Sequence, residues 1–193
     1  AYAKRRDNNE SAVATAGIAL IPSQIAKIIS NRSNLTVQVY NAVTSKPISG
    51  AYVKLSNSTW SLITSTNSSG IAQFTNIVSS AYTLNVTAQG YHNFTTVISV
   101  RESNVIYNVP MVPSNVSLIG GPGGLINSTA SNYTIVMVKV RTADGFPVSN
   151  ANVYINNTLV GITDSDGQYY ALRPMGTTVS VKVSKNTWTS QVY

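Results

Sequence analysis

The sequence predicts an all-β fold: two tandem immunoglobulin-like β-sandwiches, preceded by a strand that belongs to neither. Three observations predict it. Apolar residues alternate in short runs of 4–8, bounded by Gly, Pro, Asn and Ser turns. The pattern occurs twice in 193 residues. One long apolar segment, Glu10–Ile21, is left over ahead of both copies.

That leftover segment, ESAVATAGIALI, presents Ala12, Ala14, Ala16, Ile18 and Leu20 on one face and Val13, Thr15, Gly17, Ala19 and Ile21 on the other. Both faces are nearly free of charge, which suits a strand covered on both sides. At about 3.3 Å per residue it extends roughly 40 Å, the length of a sandwich. Left in water it is an aggregation site. The expectation is a donor strand, with Ala12, Val13, Ala14, Ala16, Ile18 and Leu20 entering a groove elsewhere. The rest of the tail, residues 1–33, is a polar start with a solvated Lys4-Arg5-Arg6 cluster and, at Pro22–Ile29, one or two helical turns or an extended arm.

Residues 34–113 read as the first sandwich, with strands at Leu35–Tyr40, Ala51–Leu55, Ser61–Thr64, Ile71–Phe74, Tyr82–Ala88, Phe94–Val100 and Val105–Met111. Seven strands at this spacing are immunoglobulin-sized. Residues 114–132 form a Gly/Ser/Asn-rich linker. Its Gly120-Gly121-Pro122-Gly123-Gly124 core is not followed by Gly-Lys-Ser/Thr, so it reads as a flexible hinge rather than a phosphate loop.

Residues 133–193 repeat the first unit. Lys46–Val53 aligns with Phe146–Val153, Asn67–Gly70 with Asp164–Gly167, and Tyr82–Ala88 with Val179–Lys185. Such self-similarity marks two copies of one fold. The last two matches share an offset of 97, which sets Tyr193 opposite Thr96. The second unit is therefore expected to lack a closing strand, about sixteen residues by comparison with the first. The gap would expose a groove lined by Val136, Val138 and Val140 with Val179, Val181 and Val183.

Composition narrows the function classes. The net charge is +7, with six carboxylates: Asp7, Glu10, Glu102, Asp144, Asp164 and Asp166. Acid denaturation works largely by protonating paired carboxylates, so a chain this poor in them is expected to tolerate acid. Cysteine is absent. No apolar run reaches the ~18 residues of a membrane span. Three clustered cations make no nucleic-acid footprint. The chain starts Ala1-Tyr2-Ala3 and reads as processed. Asn-x-Ser/Thr acceptors stand at Asn9, Asn31, Asn34, Asn57, Asn67, Asn85, Asn93, Asn115, Asn127, Asn132 and Asn156. Chance would supply about five of these eleven. The excess predicts covalent N-linked glycans, no other cofactor, and an extracellular surface.

Chemistry is sparse. His92, the sole histidine, has no sequence-near carboxylate or nucleophile and reads as a surface residue beside Asn93. Asp164-x-Asp166-Gly167 lacks the later ligands and closing Glu of a calcium loop and reads as a hairpin turn. Tyr169-Tyr170 and Trp188 read as core and rim packing. An intramolecular Lys–Asn or Lys–Asp bond would need a buried acid beside the pair, and the first unit has just Glu102, in a turn. No enzyme is expected.

The pattern Pro-x-x-x-Ala-x-Val, followed by Thr163-Asp164-Ser-Asp166-Gly167-Gln-Tyr169, resembles carboxypeptidase regulatory-like domains. Tyr82-Thr-Leu-Asn-Val-Thr-Ala-Gln-Gly90-Tyr91 resembles that family's penultimate strand, although Asn186-Thr187-Trp188 departs from its Gly-Tyr end. The resemblance covers roughly 34–112 and 133–193. It implies a small transthyretin-like sandwich and says almost nothing about function.

As a whole, the chain resembles the thread pilins of thermoacidophilic archaea in its processed start, small-residue donor strand, two β units, dense acceptors and absent cysteine. That resemblance implies a glycosylated extracellular filament joined head to tail by donor-strand complementation, with identical subunits as partners and adhesion to other cell surfaces or biofilm as its service. The alternatives are a monomeric cell-surface adhesin or S-layer-associated binding module whose tail closes its own second sandwich, and a type IV-like pilin with residues 11–29 as a helical core. Pro22 and Lys27 oppose the last.

Overall fold

The computed structural model of the chain describes residues 31–116, 132–186 and 188–189, the last pair by backbone alone. All the regular structure among these residues is β. The expected donor strand, Asn9 and Asn127 lie outside the described residues, as does the linker from 117 to 131.

The first sandwich has seven strands: β1 (Arg32–Asn41), β2 (Tyr52–Ser56), β3 (Ser61–Ser65), β4 (Ile71–Val78), β5 (Ser80–Thr87), β6 (Phe94–Val100) and β7 (Asn104–Met111). One sheet runs β4-β1-β7 and the other β3-β2-β5-β6. Neighbours are antiparallel except β1 and β7, which pair in parallel over eight residues from Asn34↔Asn104 to Asn41↔Met111. Alternation does the packing. Leu35, Val37 and Val39 of β1 meet Val53 and Leu55 of β2 and Leu84 and Val86 of β5 in one buried cluster. Thr36, Gln38, Lys54, Thr83 and Asn85 occupy outward positions along the same strands, as a half-solvated sheet requires.

Strand β4 continues four residues beyond its expected end at Phe74. The cause is a bulge. The β1–β4 register shifts between Ser33 and Leu35, and Asn76 adopts φ 56° while its amide donates to Asn34 Oδ1 at 3.0 Å. The extra residue changes the phase of the strand. Phe74 and Ile77, three apart, therefore both reach the core.

The second sandwich comprises β8 (Tyr133–Lys139), β9 (Asn152–Ile155), β10 (Thr158–Ile162), β11 (Gln168–Pro174), β12 (Val181–Lys185) and β13 (Trp188–Thr189). Its sheets run β11-β8 and β10-β9-β12-β13. The connections repeat those of the first sandwich in detail. Thr66 Oγ1 donates to the Ile48 carbonyl at 2.7 Å and accepts the Ala51 amide at 2.9 Å; Thr163 does the same with Val148 and Ala151 at the same distances. Gly70 and Gly167 have φ +72° and +71°, and a Cβ at either would stand 2.4 Å from a backbone carbonyl oxygen, that of Val39 or of Val140. No other residue fits there.

The two units are not a pair of beads on a hinge, as the glycine-rich linker suggested. They share a packed seam. Tyr40 stacks on Tyr169 with centroids 4.9 Å apart and planes 8° apart. Ala42, Val112, Val116 and Leu172 form a small buried cluster across it. Residues 113–116 also hold to the first sandwich: Ser114 N donates to Gly90 O at 2.9 Å, and His92 Nε2 lies 2.9 Å from Val116 O. His92 is thus a half-buried brace rather than a free surface group.

Candidate functional site: an open sheet edge in the second sandwich

Each strand offers its backbone groups alternately to its two edges. In the first sandwich both edges of β1 are taken, by β4 on one side and β7 on the other. Its counterpart β8 pairs with β11, Val136 opposite Ala171 and Val138 opposite Tyr169. Val140 continues that edge, its amide donating to Gly167 O at 2.8 Å, as Val39 does to Gly70 O at 2.7 Å. Alternation then directs the amides and carbonyls of Ile135, Met137 and Lys139 to the opposite edge. No described strand pairs with that edge.

The far edge of β11, in contrast, is covered. Asn108 donates to Gln168 O at 3.0 Å. The Tyr40 hydroxyl donates to Tyr170 O at 2.8 Å and accepts the Tyr170 amide at 3.3 Å. The Ala42 carbonyl accepts the Leu172 amide at 2.6 Å. Three residues of the first sandwich thus satisfy the β11 edge without adding a strand to it. Within this two-stranded sheet, the edge without a described partner belongs to β8.

Beside that edge the described core residues are less covered than their counterparts in the first sandwich. Leu35, Val37 and Val39 are 0–1 % exposed, whereas of their counterparts Val138 is 8 % exposed and Val136 and Val140 are half-buried. On the facing sheet Leu84 and Val86 are fully buried, and their counterparts are half-buried Val181 and Val183, at 8 %. The expected groove residues Val136, Val138, Val140, Val179, Val181 and Val183 all belong to one cluster with Tyr169, Ala171 and Val153. In the first sandwich this space is filled by Val105, Val109 and Met111 of β7 and by Phe94, Ile98 and Val100 of β6.

Of the glycan acceptors, Asn31, Asn34, Asn67, Asn93, Asn115, Asn132 and Asn156 are exposed, and Asn57 and Asn85 are half-buried. Asn85 lies on the outer face of β5, its amide nitrogen donating to Thr95 Oγ1 at 2.8 Å. Asn156 turns the β9–β10 hairpin at φ 51°. Between Tyr133 and Lys139 there is no acceptor. Among the described residues no group of three or more His, Asp or Glu is placed to hold a metal, and no helix is long and apolar enough to cross a membrane.

Sequence reasoning missed the seam. Tyr40, Asn108 and Leu172 carry it, and each occupies an outward position that alternation assigns to solvent. The available signals were weak: an Asn between Ile106 and Pro110 on a strand flank, and a Leu on the outer face of β11. Tyr169 and Tyr170, expected as packing, divide between the core stack and the covered edge.

Residues 34–112 match the model of the carboxypeptidase regulatory-like domain. No curated protein matches the chain. Among solved structures, the Bacillus anthracis TIE protein is similar at 17 % identity and TM-score 0.40, over 79 % of this chain and 28 % of that one. A Streptococcal ancillary pilin is similar at 12 % and 0.34, over 84 % and 54 %. A DUF3823 family protein from Bacteroides ovatus is similar at 13 % and 0.34, over 84 % and 97 %. Similarity at this level does not extend to function.

Proposed function

We propose that the chain is the structural subunit of an extracellular, glycosylated, pilus-like filament of the thread-pilin type, in which the N-terminal strand of one copy adds to the open edge of β8 in the next. One observation supports this above the rest. The β8 edge stands where β7 closes the first sandwich, and the core beside it is half-open.

The β1–β7 pair sets the geometry of the joint. An added strand runs parallel to β8, its backbone meeting Ile135, Met137 and Lys139 and its inward side chains meeting Val136, Val138 and Val140. Ladder bonds supply affinity and the side-chain pockets supply register. Ala12, Ala14, Ala16, Ile18 and Leu20 are the inward set. A buried large aliphatic such as Ile18 or Leu20 contributes about 1.5–3 kcal/mol and each alanine methyl about 0.8, enough together for a slowly reversible joint. Glycans on the exposed acceptors would solvate a surface in which charged residues are 10 % of the chain. The subunits' partners are then copies of themselves, with other cell surfaces met by the assembled fibre.

Cryo-electron microscopy of the native material tests this by locating residues 11–21. Density beside β8 of the neighbouring copy is the expected result. Density closing the same chain's sandwich would replace the filament with a self-complemented adhesin, and a central helical bundle would replace it with a type IV-like pilus. As a second test, Ile18→Asp should abolish polymerisation and leave both sandwiches folded by circular dichroism.

A further inference from the structure

The seam holds a polar cluster that strand addition does not use. Asn108, 2 % exposed, donates its amide hydrogens to two carbonyls of the other sandwich, Ile162 at 2.8 Å and Gln168 at 3.0 Å. Two carbonyl partners fix which end of the amide is nitrogen. The other end, Oδ1, is buried with no hydrogen-bond partner. A buried acceptor left unmet is costly, and such groups are rare in folded proteins.

Asp164, 4 % exposed, opens the turn onto which Asn108 docks. Its Oδ1 accepts the amides of Asp166 at 3.1 Å and Gln168 at 2.8 Å, and the main-chain amide of Asn108 also faces the carboxylate. The Asn108 side chain and the Asp164 carboxylate therefore converge on Gln168, one at its carbonyl and the other at its amide. The titratable groups facing Asp164 are Asp166 of its own turn, Tyr40 of β1, Tyr107 of β7 and Tyr170 of β11. None is a cation, and no described lysine or arginine pairs with it. Burial pushes its carboxyl up to about 6, reinforced by the Asp166 charge and opposed by the amides that face it.

We propose that Asp164 is a proton-operated clasp between the two sandwiches: protonated, its O–H donates to Asn108 Oδ1 and completes the seam; ionised, it leaves that oxygen orphaned and buries an unpaired charge. The sign follows from linkage. A carboxyl whose folded pKa lies above its unfolded value binds its proton more tightly in the folded state, so the folded chain is favoured in acid and that advantage is lost as pH rises through the folded value. Most structural carboxylates act in the opposite sense. The clasp belongs to a single chain and does not depend on polymerisation.

The repeat supplies the control. Asn67 stands at the Asp164 position of the first sandwich and makes the same turn, accepting the amides of Ser69 at 2.9 Å and Ile71 at 3.0 Å. Asp164→Asn should therefore keep the fold and carry an N–H donor at every pH. Because the chain lacks cysteine, Lys54→Cys with Thr158→Cys gives one clean spin-label pair spanning the seam. On the full chain, melting temperature and inter-label distance are followed between about pH 4 and pH 7. The expected result is a fall of roughly 5 °C or more and a broader distance distribution at the higher pH, both removed by Asp164→Asn. A wild-type chain with no such step, or a variant that keeps it, overturns the proposal. Should the variant fail to fold, carbon-13 titration of the native Asp164 carboxyl decides: a midpoint above 5 supports the clasp, and one near 4 overturns it.

Discussion

In the first sandwich, Leu35, Val37 and Val39 lie on a strand flanked by β4 and β7 and are sealed from water. In the second, Val136, Val138 and Val140 have β11 on one side and no described strand on the other. The turns, the buried threonines and the left-handed glycines match between the two. What differs is one strand position and the packing that depends on it. Among the described residues, the second sandwich therefore keeps the local geometry of the first, turn by turn, while its core is less covered. Local hydrogen bonds shape the unit, and the closing strand seals it.

Substitutions at equivalent positions should affect the two sandwiches unequally, save at the matched glycines. The largest effect is expected from Met137→Pro. Met137 is 56 % exposed and its amide is directed to the open edge of β8, so proline removes a donor from that edge without touching the β11 ladder. Filaments should be lost by electron microscopy while the circular dichroism of the monomer is retained. Intact filaments would place the joint elsewhere.

Leu84→Ala, in the closed core, should cost about 2–5 kcal/mol in urea unfolding. Val181→Ala, its counterpart in the open core, should cost under about 1 kcal/mol in the isolated chain, because little packing is lost where neighbours are missing. Equal costs would mean that the second core is closed in solution. Gly70→Ala and Gly167→Ala should each cost about 3 kcal/mol or more, through strain at positive φ together with the clash on a backbone carbonyl. Their costs should agree, since both meet a carbonyl at the same distance. The smallest effect belongs to Asn67→Asp. The position is exposed, so stability should change by less than about 0.5 kcal/mol, with no pH step near that of Asp164.

The repeat was legible because its punctuation is chemical. Thr, Asx and Gly recur at fixed offsets, and each is required by one hydrogen bond or one backbone angle. That the valines of β8 and β12 share one cluster was legible because alternation places them on one face. The β4 bulge was not, since Asn76 sits inside an apolar alternation that continues past it out of phase. Nor was the seam. Outward residues such as Tyr40, Asn108 and Leu172 have the period of a solvent face, and periodicity cannot tell water from a second domain. The raised Asp164 carboxyl is hidden for the same reason, because a turn residue in sequence becomes a buried one when another unit docks on it.

The parallel pairing of β1 with β7 has a mechanical consequence. The chain enters the first sandwich at Arg32 and leaves it beyond Met111, and because the two strands run in the same direction these points lie at opposite ends of the pair. A pull along the chain slides one strand past the other and loads all eight paired positions together. An antiparallel pair gripped at adjacent ends would open one bond at a time. A strand added parallel to β8 would be loaded in the same way, giving every joint along a fibre the shear geometry of the subunit's own first sandwich.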